Sequence, residues 1–422
     1  VERHELPIAD FILVLPVGAA ANPADRAGVA DLTAQMLLAG TTTRTALEID
    51  DHAAYLGVNL NAQSGWDATY VSLTTPTAQL DSALALMADI VLRPSFPVEE
   101  FDRMKQERLT ALLQLKDRGS AVADRAYATI LFGSDHPYGR PASGTEESVG
   151  TMTVDDVKSF YNSHFAPNSA TLIAVGDITP DELEAKVNAL YGAWEKGGVP
   201  AVTVVPPSTP SGTRIYLIDK PGAAQSSFRI GSVGVARSTL DYFPIEVMNT
   251  ILGGAFTSRL NLNLRETKGY TYGAGSRFDM RKGPGPFTAR SEIVAAMSDS
   301  ALLEFMKELR AIRDTVPTDE LTKAKQYLML QLPSAFESTR DVAQQLVTVA
   351  LYGLPLDYYN QYSAKINAVT QQDVQSVAQR YINPDNLAIV IVGDLKVIEP
   401  KLRALNLAPI EIRDINGAAI RN

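Results

Sequence analysis

The sequence predicts an α+β protein of two homologous domains, each with helices packed on an antiparallel or mixed sheet. Three observations carry this expectation. Residues 153–178 and 370–395 align over 26 positions without a gap, at an offset of 217, with eight identities. These are Thr153/Thr370, Asp156/Asp373, Val157/Val374, Ser159/Ser376, Pro167/Pro384, Val175/Val392, Gly176/Gly393 and Asp177/Asp394. A repeat this long is a duplicated domain and not a solenoid unit. Between the copies, residues 197–213 read GGVPAVTVVPPSTPSGT, a composition with too little apolar surface to fold alone. Strand-like and helix-like segments also arrive in groups instead of alternating, which favours helices on an antiparallel or mixed sheet. The expected domains are 1–196 and 214–422, with 197–213 as an extended linker and Pro206–Pro210 as its hinge or passive tether.

The elements follow in order. Phe11–Ala21 is apolar but well short of the roughly 18 residues of a membrane span. Glu2, Glu5 and Asp10 precede it, where a signal peptide carries basic residues, so it reads as a buried first strand. The chain starts at Val1 and not Met, which implies that a preceding piece was removed. The offset of 217 pairs Phe11 with Phe228, the start of a similar run. Gly28–Leu38, Leu80–Leu92, Val98–Leu115 and Ser120–Leu131 have helical periodicity, and Thr69–Thr75 alternates as a strand does. In each repeat copy a threonine, Thr153 or Thr370, is placed to cap a helix. Pro167 or Pro384 ends that helix, and an apolar strand closed by Gly-Asp follows.

Composition excludes more than it assigns. Of 422 residues, 45% are apolar and 20% charged, ordinary for a globular chain. A net charge of −10 speaks against a general nucleic-acid or anionic-membrane binder. Cysteine is absent, which removes disulfides, thiolate metal sites and thiol nucleophiles. The four histidines, His4, His52, His136 and His164, are never three to five residues apart, so no helix offers a pair to one metal. Neither a G-x-S-x-G elbow nor a phosphate-binding glycine loop is present.

One segment stands apart, EVMNTILGGAFTSRLNLNLRETKGYTYGAGSRF at 246–278. A helix marked by Val247, Ile251 and Leu252 breaks at Gly253–Gly254. Ser258 is placed to cap a second helix, Arg259–Glu266, and Gly269 to stop it. Tyr270, Tyr272 and Phe278 then alternate with small residues as in a strand. Arg265 and Tyr272 flank the turn, and both could donate to a peptide carbonyl or a developing oxyanion. By residue type alone, an arginine in a surface ion pair and a tyrosine in the core is the favoured reading.

The motifs F-x6-GAAxxP, GVAxLxAxMLxxGT, DHPYGRP, FxPNxxxLxxVGD and GGAFTSRLxxxLRExKGYTYG together resemble the M16 (pitrilysin/insulinase) metallopeptidase family, over about residues 1–400. The size and the two halves resemble its M16B subfamily. The fold this implies is a pair of M16-type α/β-sandwich domains. Active members carry His-x-x-Glu-His on the first long helix and a further glutamate downstream, which hold zinc and activate water. The aligned positions here are Asp31, Ala34 and Gln35, with Leu112–Gln114 in the region of the last ligand. The resemblance therefore implies no metal in this chain. Arg265 and Tyr272 keep the spacing of the Arg/Tyr pair with which active members bind the substrate backbone and the tetrahedral intermediate.

An Arg/Tyr pair without a zinc motif resembles the non-catalytic subunit of a heterodimeric peptidase. The implied partner is a homologous subunit that carries zinc and His-x-x-Glu-His, and the implied substrate is a peptide or unfolded polypeptide. Gly253 and Gly254 are implied substrate-gating positions. Alone, the chain is expected to hold no zinc and to cleave nothing. The alternatives are a structural core-type member and a chaperone-like peptide binder. Exported bacterial relatives imply the periplasm, with the cytoplasm as the alternative.

Overall fold

The computed structural model describes residues 1–204, 207 and 211–420. Of the segment Pro206–Pro210, only Pro207 falls within the described residues. Contacts divide the chain into two compact units. One comprises Val1–Leu112, Pro141–Thr203 and Pro333–Leu356; the other comprises Leu113–Arg140, Val204–Leu332 and Asp357–Asn422.

The first unit holds four strands, β1 (Ile8–Leu15), β2 (Asn59–Ser64), β3 (Thr69–Pro76) and β4 (Thr171–Gly176), in the order β2-β3-β1-β4. All neighbours are antiparallel. Side chains along a strand alternate between faces, and β1 is apolar on both. Ala9, Phe11, Leu13 and Leu15 pack with Leu32 and Met36 of helix Val29–Met36 and with Leu84 and Met87 of helix Leu80–Leu92. Ile12 and Val14, with Ile173 and Val175 of β4, pack on the opposite face against Ala343 and Val347 of helix Thr339–Tyr352. Asp10 shares that second face and accepts a hydrogen bond from Thr339 Oγ1 at 2.5 Å.

The second unit holds β5 (Arg214–Asp219), β6 (Gln225–Val233), β7 (Thr271–Phe278), β8 (Pro286–Val294), β9 (Ala388–Gly393) and β10 (Ile410–Arg413). Their order is β10-β5-β9-β6-β8-β7. The sheet is mixed, because β5 runs parallel to both β9 and β10. Its run β7-β8-β6-β9 repeats β2-β3-β1-β4 of the first unit. The duplication extends to register: Phe11 lies opposite Ala174, and Phe228 opposite Ile391, each partner moved by the offset of 217. The helix before β4 and the helix before β9 begin with the same device. Thr153 Oγ1 accepts from Asp156 N while the Asp156 carboxylate accepts from Thr153 N, and Thr370 and Asp373 do likewise.

One face of this sheet buries Leu217, Phe228, Ile230, Phe287 and Ile391 against helices Tyr242–Asn249, Ser298–Ala311 and Gln371–Tyr381. Helix Gly119–Phe132 packs on the other face, over β6 and β9. Tyr127 donates from its hydroxyl to Phe287 O at 2.5 Å. Gly231 makes room for that contact, since a Cβ there would lie 2.4 Å from the Tyr127 oxygen and 2.0 Å from Phe287 O. Among the described residues no helix is long and apolar enough to cross a membrane.

Helix Tyr242–Asn249 carries an acid in an unusual setting. Burial beside Tyr242, Tyr358 and Tyr362 pushes the Glu246 carboxyl up to about 7, with Arg237 opposing. The folded chain therefore keeps a proton that the unfolded chain gives up at its ordinary value of 4.5. The folded state binds more protons between those two values, so this group costs stability as pH rises through them, and its full cost is present above 7. Glu246→Gln removes the charge at constant shape. We expect it to stabilise the protein by about 2–3 kcal/mol at pH 8 and to be neutral at pH 4.5. Melting temperatures of both proteins across that range check it.

Candidate functional site

In the first unit, the helix that holds the degenerate positions Asp31, Ala34 and Gln35 carries an ion pair. Asp31 Oδ2 accepts from Arg108 Nη2 at 2.5 Å and from Gln35 Nε2 at 3.2 Å. Arg108 Nη1 also donates to Ser143 O at 3.0 Å. Ala34 is buried and offers no donor atom. Arg108 lies on helix Val98–Leu115, one turn before the buried Leu112. Leu113 and Gln114 are exposed. These residues do not fit zinc. The one carboxylate is already neutralised by a guanidinium, a neutral amide is a poor ligand, and alanine cannot take a proton. No group of three or more His, Cys, Asp or Glu able to hold a metal ion occurs among the described residues. Three histidines have protein partners: His4 Nδ1 bonds Asp177 across 173 residues, His136 Nδ1 accepts from Tyr138 N, and His164 Nδ1 lies against Phe160 O.

Arg265, Tyr272, Gly253 and Gly254 belong to the second unit. The expected helix Arg259–Glu266 is α-helical only through Asn261. From Leu262 to Thr267 the turn widens to π geometry, with Lys268 N donating to Asn263 O at 3.0 Å. The Asn263 amide donates to Glu304 and Glu308 at 2.9 and 2.7 Å, and the wider turn lets it reach that neighbouring helix. Thr250–Gly254 forms a second π turn. Gly253 is required there, because a Cβ would lie 2.3 Å from Ser276 N of β7. At Gly254 a Cβ would meet the Asn249 amide at 3.0 Å.

Arg265 lies within the Leu262–Thr267 π turn. Its guanidinium stacks over the Phe256 ring at 4.5 Å and lies 3.4 Å from Glu266. Tyr272 sits in a β-bulge. Thr271 lies opposite Ile293 and Ala274 opposite Ser291, so Tyr272 and Gly273 together face one residue of β8. The bulge turns the Tyr272 ring outward, 91% exposed, and its hydroxyl has no protein partner among the described residues.

The bulge itself is fastened at several points. Gly273 N donates to Thr271 Oγ1 at 3.0 Å, and Ser291 Oγ lies 2.8 Å from Gly273 O. The buried Asn261 accepts from Ala274 N at 3.1 Å and donates to Phe256 O at 2.7 Å. A single amide thus ties the loop that supports Arg265 to the strand that carries Tyr272. Sequence reasoning missed both Asn261 and Phe256. A polar residue beside Leu260, on the face that buries Leu264, was the available signal for Asn261.

Next to this bulge lies a cleft of about 640 Å3. Gly273, Ala274 and Gly275 of β7 form one side, with Arg290, Ser291 and Glu292 of β8 beside them. Helix Gly119–Phe132 contributes Ser120 and Asp124, and Phe256 stands at the loop side. Beneath is Arg229, whose side chain is 4% exposed. It donates to Asp124 Oδ1 at 2.5 Å, to Glu292 Oε1 at 3.3 Å and to Phe228 O at 2.8 Å. Burial works against its charge, and the two carboxylates outweigh that and raise its pKa. Nothing in the sequence pointed to this group, since Asp124 and Arg229 are 105 residues apart.

Known proteins resemble the chain over both halves. A family model described as Insulinase (Peptidase family M16) matches residues 2–136, and one described as Peptidase M16 inactive domain matches residues 151–328. An uncharacterized zinc protease of Mycobacterium leprae is 27% identical over 73% of this chain and 68% of its own length. A protein of Helicobacter pylori called a non-peptidase homolog is 22% identical over 94% of this chain and 91% of its own length. The crystal structure of a peptidase M16 inactive domain from Pseudomonas fluorescens superposes with a TM-score of 0.87 at 28% identity, covering 93% of this chain and 95% of that one. Two copies of one fold, with strand order and register repeated, and family matches on either side, place this chain in peptidase family M16, the insulinase family.

Proposed function

We propose that this chain is the non-catalytic, substrate-binding subunit of a heterodimeric zinc peptidase. In this reading Arg265 and Tyr272 donate hydrogen bonds to a peptide at the zinc site of a homologous partner subunit. The supporting observation is the Tyr272 bulge. A phenol held outward on a fastened backbone, without a protein partner among the described residues, and an arginine held on an aromatic ring are donors set in place before any ligand arrives. The first unit's Asp31–Arg108 pair supports the other half of the reading, because zinc, water and base must then come from elsewhere. The guanidinium would hold the backbone carbonyl of the peptide, and the phenol would donate to the oxyanion as the carbonyl carbon becomes tetrahedral.

A purely structural role, without peptide handling, is the second reading. The name of the Helicobacter pylori relative, a non-peptidase homolog, favours it. Reconstitution with a His-x-x-Glu-His partner separates the two. Arg265→Ala combined with Tyr272→Phe is expected to lower peptide turnover by about 100- to 1,000-fold, mostly in kcat, with assembly intact. Unchanged turnover removes the assigned role.

A further inference from the structure

The cleft beside the Tyr272 bulge holds a charge that the proposed role of Arg265 and Tyr272 leaves unused. Alternation along β8 puts Arg290 and Glu292 on one face of the sheet. On β6, Arg229 lies opposite Arg290 and Ser227 opposite Glu292. Four charges thus surround the cleft, two of each sign, and they are not equivalent. Arg229 is buried and bonded to both acids, so Asp124 and Glu292 are compensated from below. Glu292 takes a further hydrogen bond from Ser227 Oγ. Arg290 is exposed in the cleft and, among the described residues, its side chain has no carboxylate within 4.0 Å and no hydrogen bond.

The sign of a suitable ligand follows from this asymmetry. An ammonium group reaching Asp124 or Glu292 would compete with Arg229 for the same oxygens and would face Arg290 as well. A carboxylate would meet a guanidinium whose donors are all free, and guanidinium–carboxylate pairs are the geometrically favoured match. Size agrees. Gly273, Ala274 and Gly275 put almost no side-chain bulk along β7, so a main chain can lie close beside them. Phe256 lines the cleft and also carries Arg265 on its ring, so the cleft adjoins the proposed reaction-side donors.

We propose that this cleft is a subsite for a carboxylate-bearing segment of the bound peptide, with Arg290 as the residue that recognises it. The proposal rests on the reading of the chain as a peptide-handling subunit, and it names the class of peptide: acidic, not basic.

The test uses the purified full chain without a partner. The probes are fluorescein-labelled short Gly/Ser/Ala peptides with amidated C-termini and a central Glu, Gln or Lys. A fourth peptide carries Gln and a free C-terminal carboxylate. Fluorescence anisotropy at low salt is expected to show the Glu peptide binding about tenfold more tightly than the Gln peptide. An equal gain for the fourth peptide supports a carboxylate site that also accepts a chain terminus. Arg290→Ala is expected to erase the advantage, and Arg290→Glu to transfer it to the Lys peptide. Arg290 is exposed, and near-ultraviolet circular dichroism of both variants verifies folding.

Equal binding of the Glu and Gln peptides overturns the proposal. So does a wild-type preference for Lys, or an advantage that survives Arg290→Ala. Because no turnover is measured, this outcome is independent of the reconstitution experiment. Charge selectivity together with turnover indifferent to Arg265 and Tyr272 would keep the subsite and remove the peptidase role.

Discussion

Residues 1–203, expressed alone, are expected not to fold. The reason is that a unit which looks continuous in sequence borrows a helix from far downstream. Thr339–Tyr352 covers the face of the four-stranded sheet that carries Ile12, Val14, Ile173 and Val175. Each of these is at most 7% exposed. At roughly 1.5–3 kcal/mol for each fully buried aliphatic side chain, uncovering four of them forfeits about 10 kcal/mol. That is comparable with the whole stability of a typical domain, about 5–15 kcal/mol. Polar ties go too: Asp10 loses Thr339, and Phe336 O no longer accepts from Arg3. The complementary fragment fails for a matching reason. Without helix Gly119–Phe132, the buried Arg229 keeps its charge but loses Asp124, and Phe287 O loses the Tyr127 hydroxyl. Near-ultraviolet circular dichroism and proteolysis of the separate halves check this. A cooperative melt of residues 1–203 alone would contradict it.

Asp89→Ala is expected to destabilise the protein by about 3–5 kcal/mol. Asp89 is 0% exposed in helix Leu80–Leu92. Its Oδ2 accepts from Thr41 Oγ1 at 2.8 Å, Thr43 Oγ1 at 2.9 Å and Arg44 Nη1 at 2.7 Å, and its Oδ1 accepts from Arg93 Nε at 2.7 Å. One carboxylate therefore anchors the loop 41–44 and the end of its own helix. Burial raises its pKa, and the four donors outweigh burial, so the net shift is downward. A depressed folded-state value means that the stabilisation is fully present above the unfolded value of 3.8 and is lost as pH falls through the folded one. Alanine leaves two guanidinium groups and two hydroxyls facing a void. Urea denaturation at neutral pH measures the loss, and Asp89→Asn, which keeps the size but not the charge, is expected to fall between.

The periodic parts of this fold were legible, and the parts made by distant pairing were not. Leu80–Leu92 and Val98–Leu115 are helices over those same residues, because one apolar stripe at helical spacing suffices to define each. The Thr153 and Thr370 caps could be read because a cap is settled within four residues. Helix Gly119–Phe132 was equally visible as a helix, yet nothing local says that its apolar face belongs to β6 and β9. The same holds for Arg108, which meets Asp31 across 77 residues. Arg265 and Tyr272 could be singled out because their spacing matches the Arg/Tyr pair of the family that the chain resembles. The bulge that turns Tyr272 outward depends on Ser291 and Asn261, whose contacts with that strand no sequence window displays.

The Asp31–Arg108 pair also bears on whether a zinc motif could be written into this helix. Writing His, Glu and His at 31, 34 and 35, and Glu within 112–114, would restore the letters of a zinc motif. Arg108 would remain, a permanent cation already within 2.5 Å of the first of those positions and anchored at 3.0 Å to Ser143 O. Histidine at 31 would strip that charge of its carboxylate partner before any ion arrived to benefit. A histidine ligand at this position is thus gated by Arg108: the guanidinium has to be replaced before the imidazole is tolerated there.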